Sequence, residues 1–121
     1  MMLAVATGTL AQAEAPVFSS QAALTVVMAA KGYPANPVKG GTINLAAVRG
    51  AQVFHAGTAE VNGQLVAAGG RVLNVTATGA SVTDAQSAAY AAVDCIDFPG
   101  GFCRRDIGWR EVKREAASRA P

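Results

Sequence analysis

Charge, aromatic rings and metal-binding side chains are all scarce in this chain of 121 residues. Charged residues make up 15% and aromatic ones 6%, against 51% hydrophobic, which excludes the polar, highly charged signature of a disordered chain. Cys95 and Cys103 fit neither a metal-ligand spacing nor a disulfide framework, and the single histidine, His55, cannot complete a zinc site with them. Reduced thiols are the expectation; a bridge across the loop between them is geometrically possible, but nothing in the sequence supports it. No apolar run is both long enough and free enough of Gly, Pro and polar residues to span a bilayer. The net charge of +2 is too small for bulk attraction to nucleic acid or an anionic membrane. A Walker-type phosphate loop, a Rossmann glycine fingerprint and a nucleophile elbow are absent, so catalysis by this chain alone would rest on His55, Arg71 and scattered carboxylates, and none is expected.

What is present is one domain's worth of apolar residues. The mean hydropathy of +0.28 hints that some apolar surface has a partner, although alanine supplies much of the surplus. The organising stretch runs from Val53 to Gly79. Two alternating segments flank Asn62-Gly63, the dipeptide that tolerates positive φ at both central positions of a type I′ turn, so a central β-hairpin is expected. Its second arm leads into Gly69-Gly70-Arg71, where two residues without Cβ permit close backbone approach and arginine offers a planar charged fork, a combination suited to phosphate or carboxylate. Alternation puts Arg71 on the apolar side with Leu73, Val75 and Ala77. An unpaired arginine is rarely buried, so Arg71 belongs at the strand's open end, or a bulge at Gly69-Gly70 re-aims it, or it pairs with a carboxylate at a sheet edge. His55 shares a face with Val53 and Gly57; it is either a structural histidine satisfied by a backbone carbonyl or one that donates to a ligand near the glycine.

Residues 1–20 read as a lead-in helix and linker. Met1 to Leu10 would be helical only if something received its apolar face, and a start of this kind suggests a piece cut from a larger protein. The run ending Ala11-Gln12-Ala13 also permits a secretory-signal reading, but the first basic residue is Lys31. Ala22 to Lys31 is β-branched at its centre and apolar on both faces, as in a buried central strand. Thr83-Asp84-Ala85-Gln86 presents a capping box for a helix to about Asp97, with Ala85, Ala88, Ala89, Ala92 and Ile96 as its packing stripe. Cys103 to Arg105 suits a short edge strand, and Asp106 a cap for a last helix through Ser118 with Trp109, Val112 and Ala116 inward. The basic residues clustered in that helix alternate with acidic ones, as on a solvated, paired face. The fold class is therefore α+β, mainly an antiparallel sheet with flanking helices.

Four segments in order, AAKGYP at Ala29–Pro34, VFHAGT at Val53–Thr58, AGGRVLNVTATG at Ala68–Gly79 and RRDIGWR at Arg104–Arg110, make the chain resemble the carboxy-terminal domain of the phosphoribosylamine-glycine ligases of the ATP-grasp superfamily. The resemblance covers Ala22 to Trp109, with residues 21–121 as the domain. It implies a rudimentary single-hybrid-like fold and an enzyme of purine biosynthesis that joins glycine to 5-phosphoribosylamine with ATP and Mg through an acyl phosphate. It also implies substrate contacts from Arg71, Gly69 and Gly70 on a sugar phosphate or acyl phosphate, with His55, Gly57 and Thr58 as the other wall. Asn74 stands where the family commonly has glycine, and Cys103 where an aromatic is common. The nucleotide-binding lobe and its magnesium ligands do not occur in the chain, so ATP and Mg would be held by that lobe, joined in cis or in trans. A cytoplasmic ligase fragment, inactive alone and exposing apolar surface along its first helix and its sheet face, is the expectation; a free-standing interaction module of the same fold and a small secreted α+β protein are the alternatives.

Overall fold

The structure, a computed structural model, describes residues 1–119. Its centre is a four-stranded antiparallel sheet in the order β2-β5-β1-β6, built from β1 (Ala22–Ala30), β2 (Gln52–His55), β5 (Arg71–Gly79) and β6 (Gly101–Cys103). A second, two-stranded sheet pairs β3 (Thr58–Val61) with β4 (Gln64–Ala67). The fold is thus α+β with antiparallel sheets. Asn62 and Gly63 both take positive φ between β3 and β4, the condition that an Asn-Gly turn meets at low cost.

The alternating stretch Gln52 to Thr58 does not form one arm. It breaks after His55, where the amides of Ala56 and Gly57 both donate to the Val72 carbonyl at 3.0 and 3.1 Å and the chain leaves the main sheet. The hairpin therefore lies beside the four-stranded sheet, not at its centre. The centre is the long β1–β5 pair, in which Val26 faces Val75 and Met28 faces Leu73.

One face of the sheet is covered by α2 (Val82–Asp94). Ala85, Ala89 and Ala92 recur at helical spacing and are buried, and their small side chains let the helix axis approach Leu24, Val26, Leu73 and Val75 closely. Val26, Val72, Leu73 and Val75 are the largest side chains sealed from solvent, and Ile43, Ala67 and Phe98 close the core's edges.

The element boundaries correct three expectations. Ser81, not Thr83, caps α2: its Oγ accepts from the Asp84 amide at 3.1 Å and donates to the Asp84 carboxylate at 2.8 Å. Thr83 and Gln86 instead reach outward to other elements. The helix stops at Asp94, short of Asp97, because Asp97 exchanges two backbone hydrogen bonds with Asn44, at 2.8 and 3.1 Å, and must be extended to do so. The edge strand β6 starts at Gly101, since Phe102 already pairs with Ala29.

The last helix, α3 (Trp109–Arg119), docks differently from expectation. Trp109 and Ala116 are exposed, and Val112 is only half-buried. The half-buried Glu115 makes the anchoring contact: its oxygens accept from the amides of Val82 and Thr83 at 2.8 and 3.0 Å and from the Thr83 hydroxyl at 2.6 Å. A carboxylate from α3 thereby satisfies the unpaired donors at the start of α2. Asp106 does not cap α3 with its side chain, which forms a bidentate pair with Arg104 at 2.7 and 2.9 Å. At the other end of the chain, α1 (Met2–Ala6) forms one short turn of helix with none of its residues buried. Among the described residues no helix is long and apolar enough to cross a membrane.

Candidate functional site

The side of the main sheet opposite α2 is uncovered, and strand register fixes what it presents. Thr25 pairs with Thr76, their hydroxyls 2.8 Å apart, and Val27 pairs with Asn74. The next step is irregular: Met28 faces Leu73, but Ala29 faces Arg71, leaving Val72 as the extra residue of a bulge in β5. This bulge turns Val72 into the core and brings Arg71 to the open face with Asn74. A regular strand would have sent residues three apart to opposite faces. The re-aiming device expected at Gly69-Gly70 therefore operates at Val72.

Arg71 is exposed at the end of this face, above a cleft of about 580 Å³ that Tyr33, Gly57, Gly69, Gly70 and Asn74 help to line. Ion pairs among the described residues join Arg104 to Asp106, Arg105 to Asp94 and Arg114 to Glu111, and none engages Arg71. A guanidinium without a carboxylate at the rim of a cleft with mixed polar and apolar walls is an arrangement that can receive an anion.

The glycines have separate reasons to be glycine. A Cβ on Gly57 would overlap the Arg71 carbonyl oxygen, and one on Gly70 would meet the Tyr33 ring at 2.5 Å. The Gly69 amide is committed to the Gly57 carbonyl at 3.1 Å, as is that of Ala68 at 2.7 Å. The Gly70 amide has no hydrogen-bond acceptor among the described residues, while the Gly70 carbonyl ties the segment to Ala30 at 2.8 Å. Gly57 and Gly69 thus hold the cleft's shape, and Gly70 offers a donor beside Arg71.

Four of the six expected site residues, Gly57, Gly69, Gly70 and Arg71, meet in this cleft. His55 and Thr58 do not line it. His55 lies opposite Leu73 in register, which assigns it to the other face, and its Nδ1 is 2.9 Å from Thr58 Oγ1. The two side chains staple the crossing from β2 to β3. Sequence reasoning missed Tyr33 and Asn74; Tyr33 reads as an ordinary loop residue, and Asn74 joins Arg71 only through the bulge.

A second concavity of about 400 Å³ adjoins the first, sharing Val27, Tyr33 and Arg71 with it and extending across Ala29, Phe102 and Ile107. Its walls are predominantly apolar. The Cys103 thiol in its wall is pushed above its ordinary pKa by burial, partly offset by the Arg105 guanidinium. Among the described residues no group of His, Cys, Asp and Glu is arranged to hold a metal ion.

Comparison with known proteins bears on this geometry. Residues 23–110 match the family described as phosphoribosylglycinamide synthetase, C domain. The chain is 65% identical over 101 residues to the phosphoribosylamine--glycine ligase of Mesorhizobium japonicum, covering 81% of this chain and 24% of that protein. Against the ligase of the same name from Agrobacterium fabrum it is 53% identical, with 97% of this chain and 28% of the relative covered. The crystal structure of the phosphoribosylamine--glycine ligase of Thermotoga maritima superimposes with a TM-score of 0.66 at 44% identity, over 70% of this chain and 21% of that one. The chain spans about a quarter of the length of the relatives it matches.

Proposed function

Because the chain belongs to the phosphoribosylglycinamide synthetase C-domain family, we propose that it supplies one wall of the substrate cleft of a phosphoribosylamine-glycine ligase, in the cytoplasm. The ligase joins glycine to 5-phosphoribosylamine at the expense of ATP. In this reading Arg71 and the Gly70 amide take the phosphate of the sugar substrate or the developing acyl phosphate, and Gly57 and Gly69 keep the backbone close enough for both to converge. His55 and Thr58 act indirectly, by fixing the crossing that carries Gly57. Magnesium and ATP do not fit the residues present, because the described residues include no clustered carboxylate set and the sequence carries no glycine-rich phosphate loop. Their binding is assigned to the ATP-grasp lobe of the complete ligase.

The observation that carries the reading is the exposed Arg71 guanidinium, held by the Val72 bulge beside an unengaged glycine amide and paired with no carboxylate among the described residues. Titration of the chain with ribose 5-phosphate, followed by nitrogen-proton NMR, tests it. Arg71 Nε and Gly70 amide signals should shift together. Arg71→Lys retains the charge and loses the fork, so binding should weaken about tenfold, the equivalent of one charge-assisted hydrogen bond of about 1.5 kcal/mol. Signals that stay fixed at saturating sugar phosphate would remove the cleft from the substrate site.

A further inference from the structure

Among the three glycines of the cleft, Gly70 alone is crowded by side chains. A Cβ there would lie 2.5 and 3.0 Å from Cδ2 and Cε2 of Tyr33 and 3.6 Å from Cγ of Pro37. Gly70 does not take a positive φ, so the Tyr33 ring, and not an unusual backbone conformation, is what excludes a side chain. Ring and peptide share one anchor. The buried Ala30 donates its amide to the Gly70 carbonyl at 2.8 Å, and its own carbonyl accepts from the Tyr33 amide at 3.0 Å. The loop that carries Tyr33 is stiff: the Asn36 amide donates to the Gly32 carbonyl at 2.9 Å, the Val38 amide donates to the Lys31 carbonyl at 2.8 Å, and a Cβ on Gly32 would overlap the Asn36 carbonyl oxygen. Gly70, by contrast, stands just before β5, whose ladder with β1 ends at the Ala29–Arg71 pair. Its peptide is restrained by the Ala30 hydrogen bond and by the ring.

We propose that Tyr33 is a positioning residue for anion binding: its ring is a stop that seats the Gly70 peptide, and that seat makes the Gly70 amide and the Arg71 guanidinium converge on one anion. The inference rests on reading the cleft as a sugar-phosphate site and names the part that sets its geometry. Glycine has the broadest choice of backbone angles of any residue, so a glycine amide is preorganised only where something outside it limits that choice. Two donors that must meet one phosphate lose affinity steeply when either is misplaced. The ring supplies the limit from a loop that Ala30 ties to the same point of the sheet. Among the described residues the Tyr33 hydroxyl makes no hydrogen bond, so the role falls to the ring. At 38% exposure Tyr33 lies outside the buried core, which separates its part in the site from a part in folding.

The test uses the 121-residue chain, with hydrogen exchange at the Ala30 amide reading the seat and titration with ribose 5-phosphate reading its use. Tyr33→Ala should speed Ala30 exchange and weaken sugar-phosphate binding about tenfold. Tyr33→Phe, which keeps the ring, should match the unsubstituted chain in both measurements. Gly70→Ala should behave like Tyr33→Ala, because its methyl group pushes against the ring. The two substitutions together should bind ribose 5-phosphate more tightly than Gly70→Ala alone, since the methyl then enters space the ring has left. A merely structural role predicts the opposite, a double variant worse than either single one, and that result would overturn the proposal. Unaltered binding and Ala30 exchange in Tyr33→Ala would overturn it as well and leave the cleft reading standing. A Tyr33→Phe as weak as Tyr33→Ala would also overturn it, because the hydroxyl would then be the working group. An unsubstituted chain that does not bind ribose 5-phosphate would overturn both this inference and the cleft reading.

Discussion

At the scale of single residues, space around the cleft is decided by backbone rather than by side chains. A Cβ on Gly57 would overlap the Arg71 carbonyl oxygen and lie 3.0 Å from the Gly69 Cα. A methyl group on Gly57 cannot be relieved by rotating a side chain, because the obstacle is main chain. Gly57→Ala should therefore push the β2–β3 crossing away from β5 and destabilise the chain by about 1–3 kcal/mol, measured by urea unfolding, while also weakening sugar-phosphate binding. Gly63→Ala, where nothing lies within 4 Å, should cost only the strain of a positive φ of 76° and leave binding intact. The composition of the Gly-Gly-Arg segment suggested an anion contact, but the direction in which the strand sends its arginine was not legible. Alternation along β5 put Arg71 on the apolar side, and only a bulge opposite Met28 and Ala29, a property of two strands together, reverses that. The same bulge is why Asn74 could not be associated with Arg71 by periodicity.

Elements in this fold are joined by polar clamps that link residues far apart in sequence. Glu115 satisfies the first amides of α2 from a different helix, so Glu115→Ala should strip donors from α2 and loosen α3 together, at a cost of about 1–2 kcal/mol. Ser81→Ala should cost about 1 kcal/mol through α2 alone. Hydrogen exchange would separate the two: protection is lost in both helices for the first variant and at the start of α2 only for the second. Acid acts on the same region. The Arg104 guanidinium holds Asp106, and the Arg114 guanidinium holds Glu111, below the ordinary carboxylate pKa. A depressed folded pKa gives stability that is present above the unfolded value and lost as pH falls through the folded one. Melting temperature should thus fall between neutral and acid pH, by a small amount because both pairs are exposed, and high salt should reduce the difference. Ser, Thr and Asp near residue 82 announced a helix start, and the alanine stripe announced its buried side. The cap's register was not legible, since Ser81 and Thr83 are both competent and the choice depends on Glu115, more than thirty residues away.

For the whole molecule the decisive asymmetry is that α2 covers one face of the sheet and leaves the other bare. The covered face supplies the stability: Leu73 is sealed between β1 and α2, and Leu73→Ala should cost about 2–5 kcal/mol by loss of contacts and an unfilled cavity. The bare face carries Val27 at 39% and Phe102 at 46% exposure on the adjacent strands β1 and β6, and Phe54 at 50% on β2 beyond Asn74. These two facts separate stability from association. A polar substitution on the bare face removes little from the core, so Val27→Thr combined with Phe102→Ser should leave the urea midpoint of the free chain nearly unchanged. The same pair should lower binding of an apolar fluorescent dye severalfold and reduce concentration-dependent self-association in sedimentation. The reverse pattern is expected of Leu73→Ala, with a lower midpoint and dye binding that rises only as the chain unfolds. A chain in which Val27→Thr with Phe102→Ser lowered the midpoint as much as Leu73→Ala would place the bare face inside the folding core, and the separation of stability from association would fail.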